Sequence, residues 1–275
     1  MTAYPRTTSI GVFDSGFGGL DVLRGIVKKI PQYDYAYLGD SHRAPYGPRS
    51  QELVYDFTKQ AVEFLLRQGC DLVILACHTA SSAALRKIQR EYLPKHNSAK
   101  RVLGVLIPCV EEAVRQTRNK RIGVIGTEGT VASGAFVREI AKRDSAAEVF
   151  QNACPLLVPF VEAGKHNSKA AESALKKYLR PLMRSRIDTL ILGCTHYGML
   201  KEKILALVGP DVRIVSGADV VPQKLEDYLH RHPEIERTIG THRRVRFYST
   251  DPTERFRVLG GGFFGESIRA QRVSL

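Results

Sequence analysis

Two stretches of this chain are written twice. Ile10-Gly11-Val12-Phe13 recurs as Ile122-Gly123-Val124-Ile125, and Asp71-Leu72-Val73-Ile74-Leu75-Ala76-Cys77 recurs as Asp188-Thr189-Leu190-Ile191-Leu192-Gly193-Cys194. A weaker echo joins residues 102–107 to residues 212–216. The offsets are all roughly 110 residues and the order is kept, so an internal duplication explains them better than chance. In both copies the first segment runs into a turn rich in glycine and hydroxyl groups: Asp14-Ser15-Gly16, then Gly126-Thr127-Glu128-Gly129-Thr130. The 275 residues are enough for two ordinary domains.

Local pattern sets the class. Residues 9–13, 35–38 and 72–76 read as strands, and residues 20–30 and 51–68 as helices. The second helix gathers Leu53, Phe57, Ala61, Phe64 and Leu65 on one face. The strand at 72–76 is apolar throughout rather than alternating, which indicates a parallel sheet covered on both faces. The expected fold is α/β: two pseudo-symmetric α/β domains with mainly parallel sheets and an active-site cleft between them. The divide is placed near Pro108, giving a first domain of residues 1–107 plus 219–275 and a second of 108–218. A strand at 245–248 and a helix-like stretch at 263–269 are expected to fold back onto the first half.

Composition narrows the function classes. Apolar residues make up 43% and charged residues 25%, an ordinary globular balance. No apolar run approaches the ~20 residues of a membrane span. Residues 1–9 lack the features of a secretory signal, so a cytoplasmic location is expected. The formal charge of +13 fits an acidic small molecule, non-specific nucleic-acid affinity or plain solubility. The basic residues are scattered, with the densest cluster at 237–246, and no aromatic-interleaved basic motif accompanies them. A solvated basic surface is the expectation, and specific nucleic-acid binding is not.

The five cysteines show no C-x-x-C spacing, which argues against a zinc site. Cys70, Cys109 and Cys154 sit in or beside apolar stretches and read as packing residues. Cys77 and Cys194 differ, because each ends an equivalent strand. Open α/β sheets bind ligands beyond the carboxyl ends of their strands. Those ends carry Asp14, Ser15, Asp40, Cys77, His78, Thr79, Thr127, Cys194, Thr195 and His196. Two facing halves would set two thiols on opposite sides of one cleft. A stereoinversion needs that arrangement, with one group removing a proton from a tetrahedral carbon and the other delivering one to the opposite face. A free thiol titrates at about 8.5, so a thiol and a thiolate can coexist near neutrality. Asp14, Asp40 and Glu162 are candidate bases or orienters, and His196 another beside Cys194. Asp14 also fits as a cap of the helix that follows it. His42, His96, His166, His230 and His232 read as solvated, and Met183 and Met199 as core filler.

The chain resembles the glutamate racemases of the aspartate/glutamate racemase superfamily. The resemblance runs from Phe13-Asp14-Ser15-Gly16-Phe17-Gly18-Gly19-Leu20 through Asp40 and Pro45-Tyr46-Gly47 to Ala76-Cys77-His78-Thr79-Ala80-Ser81. It continues with Gly123-Val124-Ile125-Gly126-Thr127, Cys154-Pro155-Leu156, Val161-Glu162, Leu192-Gly193-Cys194-Thr195-His196-Tyr197 and Phe247-Tyr248-Ser249-Thr250. It implies a two-base mechanism with no cofactor, neither pyridoxal phosphate nor metal. Cys77 and Cys194 are then the acid–base pair, with Asp14, Glu162 and His196 in support. Ser15, Asp40, Pro45, Tyr46, Gly47, His78, Thr79, Thr127 and Thr195, together with Asp14 and His196, match substrate-binding positions. The resemblance further implies glutamate as substrate, D-glutamate for peptidoglycan synthesis, and a homodimer.

Three positions depart from the family pattern. His78 replaces the asparagine after the first cysteine; as a cation it would lower the Cys77 pKa or grip a carboxylate, and as a bulkier group it would crowd glutamate. Gly198 replaces a proline and is expected to change only the backbone. Ser216-Gly217-Ala218-Asp219 departs at a strand end and is expected to matter little. Two alternatives stay open: the same carbon-acid chemistry on another amino acid such as aspartate, or a non-catalytic basic paralogue acting as a binding protein.

Overall fold

The structure, a computed structural model, describes residues 8–275. The expectation about a leader segment rests on residues 1–7 and lies outside them. Among the described residues ten strands form two sheets: β1 (Ser9–Asp14), β2 (Tyr35–Gly39), β3 (Cys70–Leu75), β4 (Arg101–Gly104), β5 (Arg121–Gly126), β6 (Glu148–Ala153), β7 (Thr189–Gly193), β8 (Arg213–Ser216), β9 (Val245–Ser249) and β10 (Gln271–Arg272). Their orders are β10-β9-β2-β1-β3-β4 and β6-β5-β7-β8. Every pairing is parallel. Read from the duplicated strands, β2-β1-β3-β4 and β6-β5-β7-β8 are the same topology, as a duplication requires.

Both faces of the central strands β1, β3, β5 and β7 are covered, which is why their middle residues are apolar. In β1, Ile10 and Val12 join one core and Phe13 another; in β3, Leu72 and Ile74 divide from Val73 and Leu75 in the same way. In the second sheet, Leu190 and Leu192 face one side while Ile122, Val124 and Ile191 face the other. One core is continuous between the halves. It takes Ile10, Val12 and Ile74 from the first sheet and Ile125, Leu190 and Leu192 from the second. Helices Gly19–Lys29 and Gly217–Arg231 contribute Val22, Ile26, Val221 and Leu225 to it. Each such aliphatic side chain contributes about 1.5–3 kcal/mol by leaving water.

Several boundaries differ from the sequence reading. Pro108 lies inside helix Leu106–Gln116, in its first turn, where a missing N–H breaks no intrahelical bond. The opposite divide falls in the first turn of Gly217–Arg231. Strand β9 pairs with β2, so the tail does return to the first sheet. Its helix is Glu254–Phe264, not 263–269. It ends at Gly265, whose φ of 94° is a left-handed conformation that glycine adopts without strain. Strands β6 and β10 were not apparent from the sequence. The side chains of β6 are exposed or half-buried, which leaves no run of core residues to read. Met199 is 38% exposed rather than core, whereas Met183 does pack against the core. At Gly198 a Cβ would lie 2.5 Å from Asp21 Oδ2, so the missing side chain makes room for that carboxylate and is more than a backbone change.

Candidate active site

The strand order reverses direction at β1/β3 and again at β5/β7, and each crevice opens at the carboxyl ends of those strands. The first crevice presents Asp14, Ser15 and Cys77; the second presents Thr127, Cys194 and Thr195. The crevices face each other across a cavity of about 540 Å³. Its lining includes Ser15, Pro45, Gly47, Cys77, His78, Thr79, Thr127, Glu162, Cys194, Thr195 and His196. Both expected thiols therefore border one cavity from equivalent places.

Cys77 is the N-cap of helix His78–Lys87, its Sγ 3.4 Å from the backbone N–H of Ala80 and 3.5 Å from Ser15 Oγ. Burial pushes this thiol up to about 11; the Asp14 charge adds to that, and the contacts with Ser15 and Ala80 oppose it. Cys194 is held well above the ordinary thiol value, again chiefly by burial, with a backbone N–H of His196 opposing it. Its Sγ lies 3.9 Å from His196 Nδ1. The two thiols are thus not supported alike: one rests on a helix N-terminus, the other on an imidazole.

Asp14 lies fully buried between the two sides. It accepts from Gly16 N–H at 2.9 Å and from Thr195 Oγ1 at 3.3 Å. Burial raises its pKa, while His196 and the backbone N–H groups of Gly16 and Gly19 pull it down. Asp14 therefore ties down the turn before helix Gly19–Lys29 and does not cap it, since that helix has Gly18 at its N-cap and no side-chain cap, and it also joins the first half to Thr195 of the second. Other bonds cross the cleft. Thr79 Oγ1 lies 2.9 Å from Thr127 Oγ1, and Gly129 N–H donates to the Gly47 carbonyl at 2.8 Å.

His196 Nε2 is 3.2 Å from Glu162 Oε1, an ion-pair approach without hydrogen-bond alignment, and the other oxygen of Glu162 accepts from Arg255 at 2.8 Å. Burial would raise the Glu162 carboxyl, but His196 and Arg255 outweigh it and hold the group below its ordinary value. The His196 ring packs against Phe17 and Phe263, with centroids 5.5 and 5.6 Å away.

Three expected substrate contacts sit behind the lining instead. Asp40 is fully buried and accepts from Arg43 at 2.6 Å, Tyr46 at 2.5 Å and Thr250 at 2.9 Å. It anchors the loop whose Pro45 and Gly47 face the cavity. Tyr46 turns its hydroxyl to Asp40, and Asp14 turns its carboxylate to Gly16 and Thr195. His78 does line the cavity but is not a cation, since burial lowers its pKa to about 3. It therefore cannot lower the Cys77 pKa by charge. Its ring stacks on Phe136, its Nε2 is 3.9 Å from Cys109 Sγ, and its buried Nδ1 has no partner. Several lining residues escaped the sequence reading, and two of them carry polar chemistry of interest. Cys154, taken as packing only, borders the cavity, and Arg255 arrives from the tail with no local motif to mark it.

Among the described residues no helix is long and apolar enough to cross a membrane. Residues 10–225 match the Asp/Glu/Hydantoin racemase family. The chain is 37% identical to a glutamate racemase of Syntrophus aciditrophicus, with 98% of each chain covered. It superposes on a glutamate racemase isoform from Bacillus anthracis with a TM-score of 0.90 at 34% identity, covering 98% of both chains. The glutamate racemase of Francisella tularensis in complex with D-glutamate gives 0.88 at 31% identity, again over 98% of both. The fold, the repeat and these matches agree: the chain is a racemase that belongs to the glutamate racemase group of the Asp/Glu/Hydantoin racemase family.

Proposed function

We propose that this chain interconverts L- and D-glutamate with Cys77 and Cys194 as its two acid–base groups. The observation that carries the reading is that both thiols border one cavity from topologically equivalent strand ends. In one direction the Cys77 thiolate takes the α-proton of D-glutamate and becomes a thiol. The Cys194 thiol then gives its proton to the opposite face and becomes the thiolate. The reverse direction exchanges the roles, so every proton that moves has a sulfur to hold it and the reaction calls for no cofactor.

Burial raises both thiols. The ammonium group of an amino acid seated between them supplies the positive charge that makes a thiolate less costly there. The α-proton is far less acidic than a thiol, so carbanion-like charge must be met by positioned donors in a water-poor site. The hydroxyls of Ser15, Thr79, Thr127 and Thr195 and the N-terminus of helix His78–Lys87 are placed for that, with Pro45 and Gly47 closing the wall. Asp14, Glu162 and His196 act as supporting groups for the thiols. The two sheets with their helices are read as two domains, residues 1–107 plus 219–275 and residues 108–218. The family resemblance supports a cytoplasmic homodimer that supplies D-glutamate for peptidoglycan.

The test is α-proton exchange in deuterated water with each enantiomer of glutamate. The unaltered chain exchanges and inverts, while Cys77→Ser and Cys194→Ser each lose inversion by about a thousandfold or more, because a serine hydroxyl is a far weaker acid. Full racemisation by either variant refutes the two-thiol mechanism.

A further inference from the structure

The tail helix Glu254–Phe264 belongs in sequence to the far end of the chain, yet it reaches the Cys194 side of the cavity. Its Phe256 and Phe263 are buried against Phe17, and Phe263 also meets the His196 ring edge-on. Arg255, one residue into this helix, lines the cavity and donates from its Nη2 to Glu162 Oε2 at 2.8 Å. Glu162 stands at the end of helix Leu157–Glu162 in the second half, with its other oxygen against His196. A chain of contacts thus runs Arg255–Glu162–His196–Cys194, from the tail across the cleft to one thiol only. Cys77 has no such chain; it rests on Ser15 and the Ala80 amide.

We propose that Arg255 is a positioning residue for the Cys194 half: it holds Glu162 from across the cleft and so sets the orientation of His196 and the charge felt by Cys194. The inference rests on Cys194 being an acid–base thiol. Glu162 has two oxygens and two partners. Without Arg255, the oxygen now held from the tail is free and the carboxylate can rotate off the imidazole. The titratable groups facing Glu162 are His196, from the segment after β7, and Arg255, from the tail helix; Cys194 faces Cys77 and Asp14 of the first half and, less strongly, feels the Glu162 charge. Removing the guanidinium leaves that negative charge less compensated, which makes a Cys194 thiolate harder to form. The Arg255 side chain is 61% exposed, so the effect is that of a screened pair.

The experiment is alkylation of the intact chain by iodoacetamide across a pH series, read at each cysteine by peptide mass spectrometry, together with kcat/KM for glutamate against pH. In Arg255→Met, Cys194 is expected to react about threefold to fivefold more slowly at a given pH while Cys77 is unchanged. The acid limb of kcat/KM moves up by about half a unit, because Glu162 has lost a partner that favours its ionised form. Arg255→Lys, which keeps the charge, restores both. An unaltered ratio of Cys194 to Cys77 alkylation in Arg255→Met overturns the proposal, and so does an equal change at both cysteines, which would mean only that the cleft had opened. Neither outcome depends on turnover. Absence of α-proton exchange by the unaltered chain overturns the reading of function instead.

Discussion

His78 makes the sharpest test of the electrostatics of the cleft. The structure buries it to 2% exposure, stacks it on Phe136 and gives its Nδ1 no partner, so its neutral form is strongly favoured with a pKa near 3. In the unfolded chain a histidine titrates at about 6.5. Above pH of about 6.5 neither state binds the proton and His78 contributes no pH dependence. Below it the unfolded chain takes up a proton that the folded chain refuses, so stability falls by up to about 1.4 kcal/mol per pH unit until the folded group titrates. Between about pH 7 and about pH 5 this one residue should cost about 2 kcal/mol. His78→Asn removes that contribution while keeping a neutral polar side chain. Equilibrium urea unfolding of both proteins at the two pH values isolates the effect, because the packing change cancels in the difference of differences. The parent should lose about 2 kcal/mol more than the variant on going to the lower pH. Equal losses would mean that His78 is solvated or already charged, and the account of the Cys77 side would fail with it. The same neutrality predicts that His78→Asn leaves the shape of the kcat/KM profile unchanged from about pH 6 to about pH 9, whatever it does to its height.

Two further substitutions test how the site is held. At Gly18 a Cβ would fall 2.5 Å from Thr195 Oγ1 and 2.8 Å from His196 Nδ1, so Gly18→Ala should displace both. A loss in kcat/KM of about a hundredfold with an unaltered circular dichroism spectrum is expected, and unimpaired turnover would show that the two side chains are not poised as described. Asp40→Asn should leave Arg43 without its charge partner and slacken the Pro45–Gly47 loop. It should destabilise by about 3 kcal/mol in thermal or urea unfolding and raise KM. A change in kcat alone, with normal stability, would assign Asp40 to the chemistry instead of the scaffold.

Much of this molecule can be read in one dimension. Strands buried on both faces must be apolar at every position, so β1, β3, β5 and β7 declare themselves, and their repetition in order shows two halves built alike. Cysteines placed at the ends of equivalent strands then point to a shared cleft, because parallel sheets bind at that edge. What escaped has physical reasons. Helix Glu254–Phe264 contains Gly260, Gly261 and Gly262, which disfavour helix locally; burial of Phe256, Phe263 and Phe264 against the first half overrides that preference. Strand β6 carries no core residues to mark it. Asp40 and Tyr46 match the family's substrate-binding positions in sequence, yet a side chain's direction is decided by its partners, here Arg43, Tyr46 and Thr250 around Asp40. The charge state of His78 depends on being enclosed by residues distant in the chain, and a sequence records no solvent exposure. Arg255 lies 93 residues from Glu162, and only the return of the tail brings them together. Local pattern and repetition determined the class, the duplication and the two thiols. Long-range packing alone decided which groups surround each thiol, because desolvation and charge act through space and not along the chain.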